Sequence, residues 1–118
     1  IELRNVSGEA VDLSGMYLSD NPENPRKWGF PAGTTLAPGG YLVVWADENG
    51  SDSPGLHANF KLSASGESVF LVDTDARLNV LLDSVTFGPQ GRDQAYGRTA
   101  ADPSVWAVLA PTPGAANP

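Results

Sequence analysis

The stretch Tyr41-Leu42-Val43-Val44-Trp45-Ala46 decides the fold, because it is apolar throughout and follows the turn residues Pro38-Gly39-Gly40. A short apolar run bounded by turn signals and rich in β-branched and aromatic side chains is typical of a strand inside a sheet. Such a run is too short for a core helix. We therefore predict that residues 41–46 form a central strand and that Trp45 belongs to the core.

The rest of the chain repeats this pattern, since apolar residues recur at a spacing of two between clusters of Gly, Pro, Asn and Asp. Spacing of two predicts strands, and the clusters predict hairpins and corners. Residues 49–65 are interpreted as a long crossing loop, and Asp73 and Asp75 as hairpin residues. The fold class is therefore all-β, a sandwich of about eight to nine short, mainly antiparallel strands. The predicted strands are 1–5, 10–13, 16–20, 26–30, 41–46, 67–73, 80–87, 94–98 and 105–109.

Composition limits the domain count and the classes of partner. A chain of 118 residues is enough for one hydrophobic core, which we place in residues 1–110, with 111–118 as a Pro/Gly/Ala-rich tail or the start of a linker. The formal net charge is −7, which disfavours nucleic acid and anionic membranes as partners. No stretch is apolar enough for membrane insertion, and without cysteine the chain has neither disulfides nor thiolate chemistry.

The catalytic residue types and motifs present in the sequence predict no enzyme and no cofactor. His57 is the only histidine, and no Gly-x-Ser-x-Gly string accompanies it, so a structural histidine is the favoured interpretation. Phosphate-cradling glycine motifs are absent from the sequence. Asp47, Glu48 and Asp52 are weak candidates for calcium ligands, because their loop lacks the glycine spacing and the distal Glu of an EF-hand. A solvated loop is the favoured interpretation there.

The aromatic residues are numerous enough for a sugar-stacking platform, although most are expected in the core. Tyr96 and Trp106 lie in the last two predicted strands. They are the candidates for exposed binding aromatics.

Several strings, taken in order, resemble the lamin-tail domain in its bacterial branch. What the resemblance implies is an immunoglobulin-like, non-enzymatic module of secreted or cell-surface proteins, often fused beside hydrolases. Domains of this type usually begin with a further strand before the segment matching Ile1-Glu2-Leu3, so an open sheet edge and edge-to-edge self-association are expected here. The strings that carry the resemblance are 1–5, 11–20, 28–34 and 36–46, followed by 56–62, 65–67, 83–88, 96–98 and 111–117.

The leading functional hypothesis is a non-catalytic interaction or targeting module of a larger secreted or cell-surface bacterial protein, with a protein or cell-surface partner. It rests on the sandwich pattern and the empty chemical inventory, and the location comes from the resemblance alone. The alternative is a carbohydrate-binding or calcium-assisted adhesion module. That alternative is motivated by the tryptophans and by the acidic loop at Asp47, Glu48 and Asp52.

Overall fold

A computed structural model describes residues 1–47, 55–63, 65–91 and 94–118, and it shows an all-β domain. Eleven short strands and one 3₁₀ turn make up its regular structure in the described ranges. The strands are β1 (Glu2–Arg4), β2 (Val11–Asp12), β3 (Tyr17–Ser19), β4 (Trp28–Gly29), β5 (Thr35–Leu36), β6 (Tyr41–Ala46), β7 (Leu56–Ala58), β8 (Glu67–Val72), β9 (Leu81–Phe87), β10 (Ala95–Arg98) and β11 (Trp106–Leu109).

Two larger sheets organise these strands. One has the order β1-β6-β7 and the other β4-β3-β8-β9, while β2 pairs with β5 and β10 pairs with β11. All pairings between strands are antiparallel except that of β6 with β7, which is parallel. The predictions of an all-β class and of a central strand at β6 are therefore confirmed.

The core lies between the two larger sheets. Leu18 of β3 and Val69 of β8 come from one sheet, and Val44 of β6 and Ala58 of β7 come from the other. The remaining core members are buried apolar residues from the connections and from β5, namely Leu13, Met16, Phe30, Leu36 and Phe60. Leu13 and Leu18 share this core across a tight turn in which the Met16 amide donates to the Leu13 carbonyl and Gly15 has a φ of 78°. Such a φ suits glycine, because a side chain would be strained there.

Two predictions about the middle of the chain were wrong. Residues 49–65 were interpreted as a crossing loop, but β7 lies within them and pairs with β6, while residues 49–54 and 64 lie outside the described residues. Trp45 was placed in the core, but it is 56% exposed, because only alternate side chains of β6 face the other sheet. The short β5 was also missed, and its Leu36 is buried.

The first strand and the C-terminal tail both contact the rest of the domain. β1 is an edge strand of its sheet. The tail 111–118 turns back onto the domain, since the Asn117 side chain donates to the Arg98 carbonyl at 2.7 Å and the Gly114 amide donates to the Glu2 carboxylate. Among the described residues, no helix is long and apolar enough to cross a membrane.

Candidate interaction surface

The most distinctive surface feature is a run of exposed apolar side chains at the start of β9. Leu78, Val80, Leu81 and Leu82 are exposed by 87%, 55%, 54% and 45% of their areas, and we call these residues the β9 strip. Single exposed apolar residues are ordinary on a protein surface, but four within five positions of the chain make a candidate interaction site. The β9 strip is therefore a candidate binding surface for a partner.

The β9 strip lies on an edge strand. Among the described strands, β9 is the last of the sheet β4-β3-β8-β9 and pairs with β8 alone. An edge strand presents backbone donors and acceptors to solvent and serves as a template for another extended chain. The open edge and the apolar side chains thus occur at the same place.

The register of β9 contains a bulge inside the strip. Leu71 pairs with Asp83, whereas the next residue of β8, Val72, pairs with Leu81. Leu82 is therefore the extra residue on the β9 side. Bulges at sheet edges re-aim side chains and interrupt the ladder, and here the bulge falls among the exposed leucines.

Leu78 has an unusual backbone conformation. Its φ is 64°, and that of Asn79 is 53°, so both residues lie in the left-handed region without being glycine. For a bulky residue this conformation costs roughly 1–3 kcal/mol and persists only where the surroundings hold it. Strained positions of this kind cluster at functional sites, and Leu78 is also almost fully exposed.

A hydrogen-bond network holds the loop that carries Leu78. The Asn79 amide group donates to the Asp75 carboxylate at 2.9 Å and to the Asp73 carbonyl at 3.1 Å. Arg26 lies 3.0 Å from both the Asp75 carboxylate and the Asn79 side-chain oxygen. The Tyr17 hydroxyl donates to Asp75 at 3.2 Å. Tyr17 and Arg26, from two other segments of the chain, thus hold the loop that exposes Leu78.

The charge on Asp75 is stabilised by this network. The Asn79 hydrogen bond lowers the pKa of the Asp75 carboxyl below its ordinary value, and Arg26 and the Tyr17 hydroxyl act in the same direction. The carboxylate therefore stays ionised, and stays an acceptor, to a lower pH than an ordinary aspartate.

From Asp83 onward, β9 is partly occupied by the β10–β11 hairpin. The Arg98 guanidinium donates to both carboxylate oxygens of Asp83 at 3.0 and 3.2 Å, and the rings of Phe87 and Tyr96 are 6.5 Å apart. The Asp83 carboxylate also accepts from the Ser84 amide at 2.9 Å. The apolar and open part of the edge is therefore its beginning, at the β9 strip.

A shallow cleft of about 380 Å³ lies beside the same loop, lined by Met16, Asp73 and Arg77 among others. The Asp73 side chain is buried, accepts from the Thr74 amide at 2.8 Å and lies 3.7 Å from Arg77. The cleft thus contains a carboxylate that already has a cationic neighbour.

The aromatic candidates Tyr96 and Trp106 lie together on β10 and β11. Their rings stack at 5.9 Å, and the Arg98 guanidinium lies 4.6 Å over the Trp106 ring. Both residues are half-buried. They form one cluster with Arg98, and whether that cluster binds a ligand stays a prediction.

Of the candidate calcium ligands, only Asp47 is described, while Glu48 and Asp52 lie outside the described residues. The Asp47 carboxylate is 2.7 Å from Nδ1 of the buried His57. Within the described ranges, no group of three or more metal-ligating side chains comes together.

The β9 strip was not among the predicted site residues. The sequence did contain a signal, since Val80-Leu81-Leu82 is a continuous apolar run that directly follows a turn. Its exposure depends on which parts of β9 other elements cover, and the pattern along the chain does not give that packing.

Comparisons with known proteins identify the family to which this domain belongs. The family model described as Lamin Tail Domain matches residues 1–89, which include β1 to β9 and the β9 strip, whereas β10 and β11 follow the matched region. Searches of curated proteins and of solved structures found no match. The match covers well over half of the chain and confirms the resemblance to the lamin-tail domain and the immunoglobulin-like class. The chain therefore belongs to the lamin tail domain family, whose members are non-catalytic immunoglobulin-like domains that generally act as protein-interaction modules.

Proposed function

We propose that this domain is a non-catalytic module that binds a protein partner through the β9 strip, as part of a larger secreted or cell-surface bacterial protein. The observation that carries the binding surface is the coincidence of four exposed apolar side chains with an open sheet edge. Family membership supports an interaction role. The bacterial, secreted context is supported only by the resemblance of the sequence strings.

The chemistry of the strip suits an extended segment of a partner protein. An added segment gains main-chain hydrogen bonds at the start of β9, before the hairpin, and its side chains cover the leucines that the bulge exposes. Burying the remaining exposed half of one leucine contributes roughly 1 kcal/mol. Because association also costs ordering and translational entropy, several strip residues must be covered together for stable binding.

The experiment is a selection of extended peptides from a random display library on the immobilised domain, followed by affinity measurements on variants. We expect the double variant Leu81→Lys/Leu82→Lys to lose at least about tenfold in affinity for the selected peptides, since about 1.4 kcal/mol corresponds to tenfold. Val6→Lys is the matched control, because Val6 is 87% exposed and lies outside the strip.

Peptides that bind the wild type and the double variant equally well would contradict the proposal.

The secreted or cell-surface setting is tested separately by determining the coding sequence on both sides of this domain. A secretion signal with neighbouring catalytic or repeated domains supports a secreted module, whereas a free-standing cytosolic frame contradicts that part.

A further inference from the structure

The shallow cleft beside the loop at residues 73–79 contains a buried carboxylate that is only partly satisfied. Asp73 is 5% exposed, and its Oδ1 accepts from the Thr74 amide at 2.8 Å. Its Oδ2 lies 3.7 Å from a guanidinium nitrogen of Arg77, which is too far for a hydrogen bond. Because a carboxylate removed from water is stabilised by a close charged donor, Oδ2 can gain from a better-placed cation.

Arg77 occupies its position beside Asp73 loosely. The Arg77 side chain is 73% exposed, and within the described ranges its guanidinium makes no hydrogen bond. Exposed ion pairs contribute little to stability, since water screens the charges and long side chains lose conformational freedom. The cleft therefore already attracts a guanidinium, and another cation can take the place of Arg77 at small cost.

The other residues of the cleft suit a long cationic side chain. Asp12 lines the cleft, and hydrogen bonds from Ser14 lower the pKa of its carboxyl, so that it stays charged. Val11 and Met16 add apolar surface. Lysine and arginine lay their methylene stems on apolar surface and present the charge at the end. The cleft volume of about 380 Å³ is enough for one such side chain.

The cleft is next to the β9 strip. The Asp73 amide donates to the carbonyl of Val80 at 2.8 Å, and Val80 belongs to the strip. Arg77 directly precedes Leu78, the most exposed member of the strip. A segment that covers Leu78 and Val80 therefore lies within reach of the Asp73 carboxylate by one long side chain.

We propose that the cleft receives a lysine or arginine side chain of the protein segment that binds the β9 strip. This inference rests on the proposed function and specifies its partner as an apolar segment that carries one basic residue. The incoming cation displaces Arg77 and donates to Asp73 Oδ2, while its methylene stem contacts Met16. The net charge of −7 also favours the approach of a basic partner.

The test is a double-mutant cycle between the domain and peptides selected on it from a random display library. We expect the selected peptides to share one lysine or arginine, and its replacement by glutamine to lower the affinity for the wild-type domain at least about tenfold. Asp73→Asn should cause a similar loss, and the glutamine peptide should not distinguish the two domains. Arg77→Gln should raise the affinity of the basic peptide, because it removes a competing cation.

Two further variants control for folding and for net charge. Asp12 is exposed, so Asp12→Asn should lower the affinity for the basic peptide without the risk of disturbing a buried group. Asp102→Asn is the matched control, because its carboxylate accepts from the Ser104 amide at 3.1 Å in the turn between β10 and β11, outside the cleft. It removes the same charge and should leave the affinity unchanged. Thermal unfolding shows that each variant keeps the fold.

Selected peptides without a shared basic residue would overturn the inference, as would equal effects of Asp73→Asn and Asp102→Asn on affinity. A fall in affinity on Arg77→Gln would do the same. Calcium that raises the melting temperature of the wild type but not of Asp73→Asn would make a metal ion the occupant of the cleft, and would also overturn it.

These outcomes are distinct from a failure of the proposed function. If Leu81→Lys/Leu82→Lys weakens the selected peptides, the β9 strip binds them whether or not they carry a basic residue. Binding that this double variant leaves unchanged contradicts the proposed function itself.

Discussion

β6 and β9 are both apolar strands, yet they occupy opposite positions in the fold. β6 has a strand on either side and places Val44 at 0% exposure in the core. β9 has β8 on one side, and its first two residues, Leu81 and Leu82, are about half exposed. Strands of similar apolar content thus differ in how much backbone edge they leave to a partner, and the apolar side chains of each are exposed only where no other element covers them.

The largest expected effect distinguishes two adjacent residues of β6. Val44→Ala should lower the free energy of unfolding by about 2 kcal/mol, because it removes buried methyl groups and leaves a cavity. Trp45→Ala should change it by less than about 1 kcal/mol, since most of that side chain remains in water. Chemical denaturation with urea measures both. Equal losses for the two variants would show that the outer face of β6 is covered in solution.

The second effect concerns the strained residue next to β9. Leu78→Gly should raise the free energy of unfolding by about 1 kcal/mol, because glycine adopts a φ of 64° without strain. The same variant should weaken binding of the selected peptides, since it removes an exposed side chain. Thermal unfolding measures the change in stability, and peptide titration measures the change in affinity. A stabilised variant with unchanged peptide affinity would exclude Leu78 from the binding surface.

A smaller effect is expected where the hairpin contacts β9. In a double-mutant cycle of Asp83→Ala and Arg98→Ala, the coupling energy should be about 0.2–1 kcal/mol, the range for exposed ion pairs. It should fall as salt is added. Urea unfolding at low and high ionic strength measures it. A coupling well above this range would mean that the pair is shielded from solvent.

The smallest expected effect is a change in how the stability of the fold depends on pH. Since the pKa of Asp75 is lower in the folded state than its ordinary value, the unfolded chain binds more protons there. The contribution to stability is complete above the ordinary pKa and is lost as the pH falls through the folded pKa. Asp75→Asn should therefore flatten the decrease in melting temperature below about pH 4. An unchanged slope would contradict the hydrogen-bond network around Asn79.

The sequence predicted much of the fold because most strands carry their own local signal. β6, β8 and β9 are runs with turn residues at their ends, and the predicted positions match. β5 and β7 were missed, since they contain two and three residues and lie in turn-rich segments. β7 is defined by its parallel pairing with β6, a contact that no local pattern reveals.

The sequence predicted little of the candidate surfaces because exposure depends on which faces of each sheet other elements cover. Trp45 was expected in the core from its apolar neighbours, but the outer face of its sheet is not packed against the core cluster. Leu81 and Leu82 were correctly placed in a strand, but their exposure is set by tertiary packing that the local pattern does not give. The left-handed backbone of Leu78 has no counterpart in residue type, because leucine rarely adopts it.

The most direct test of an open β9 edge is residue-by-residue amide hydrogen exchange, in the free domain and with a selected peptide. In the free domain, we predict that the central amides of β6 exchange slowly and that alternate amides of β9 exchange fast, because they face solvent. Peptide binding should slow the β9 amides and leave those of β6 unchanged. Amides along all of β9 that are already as protected as β6 in the free domain would contradict the account.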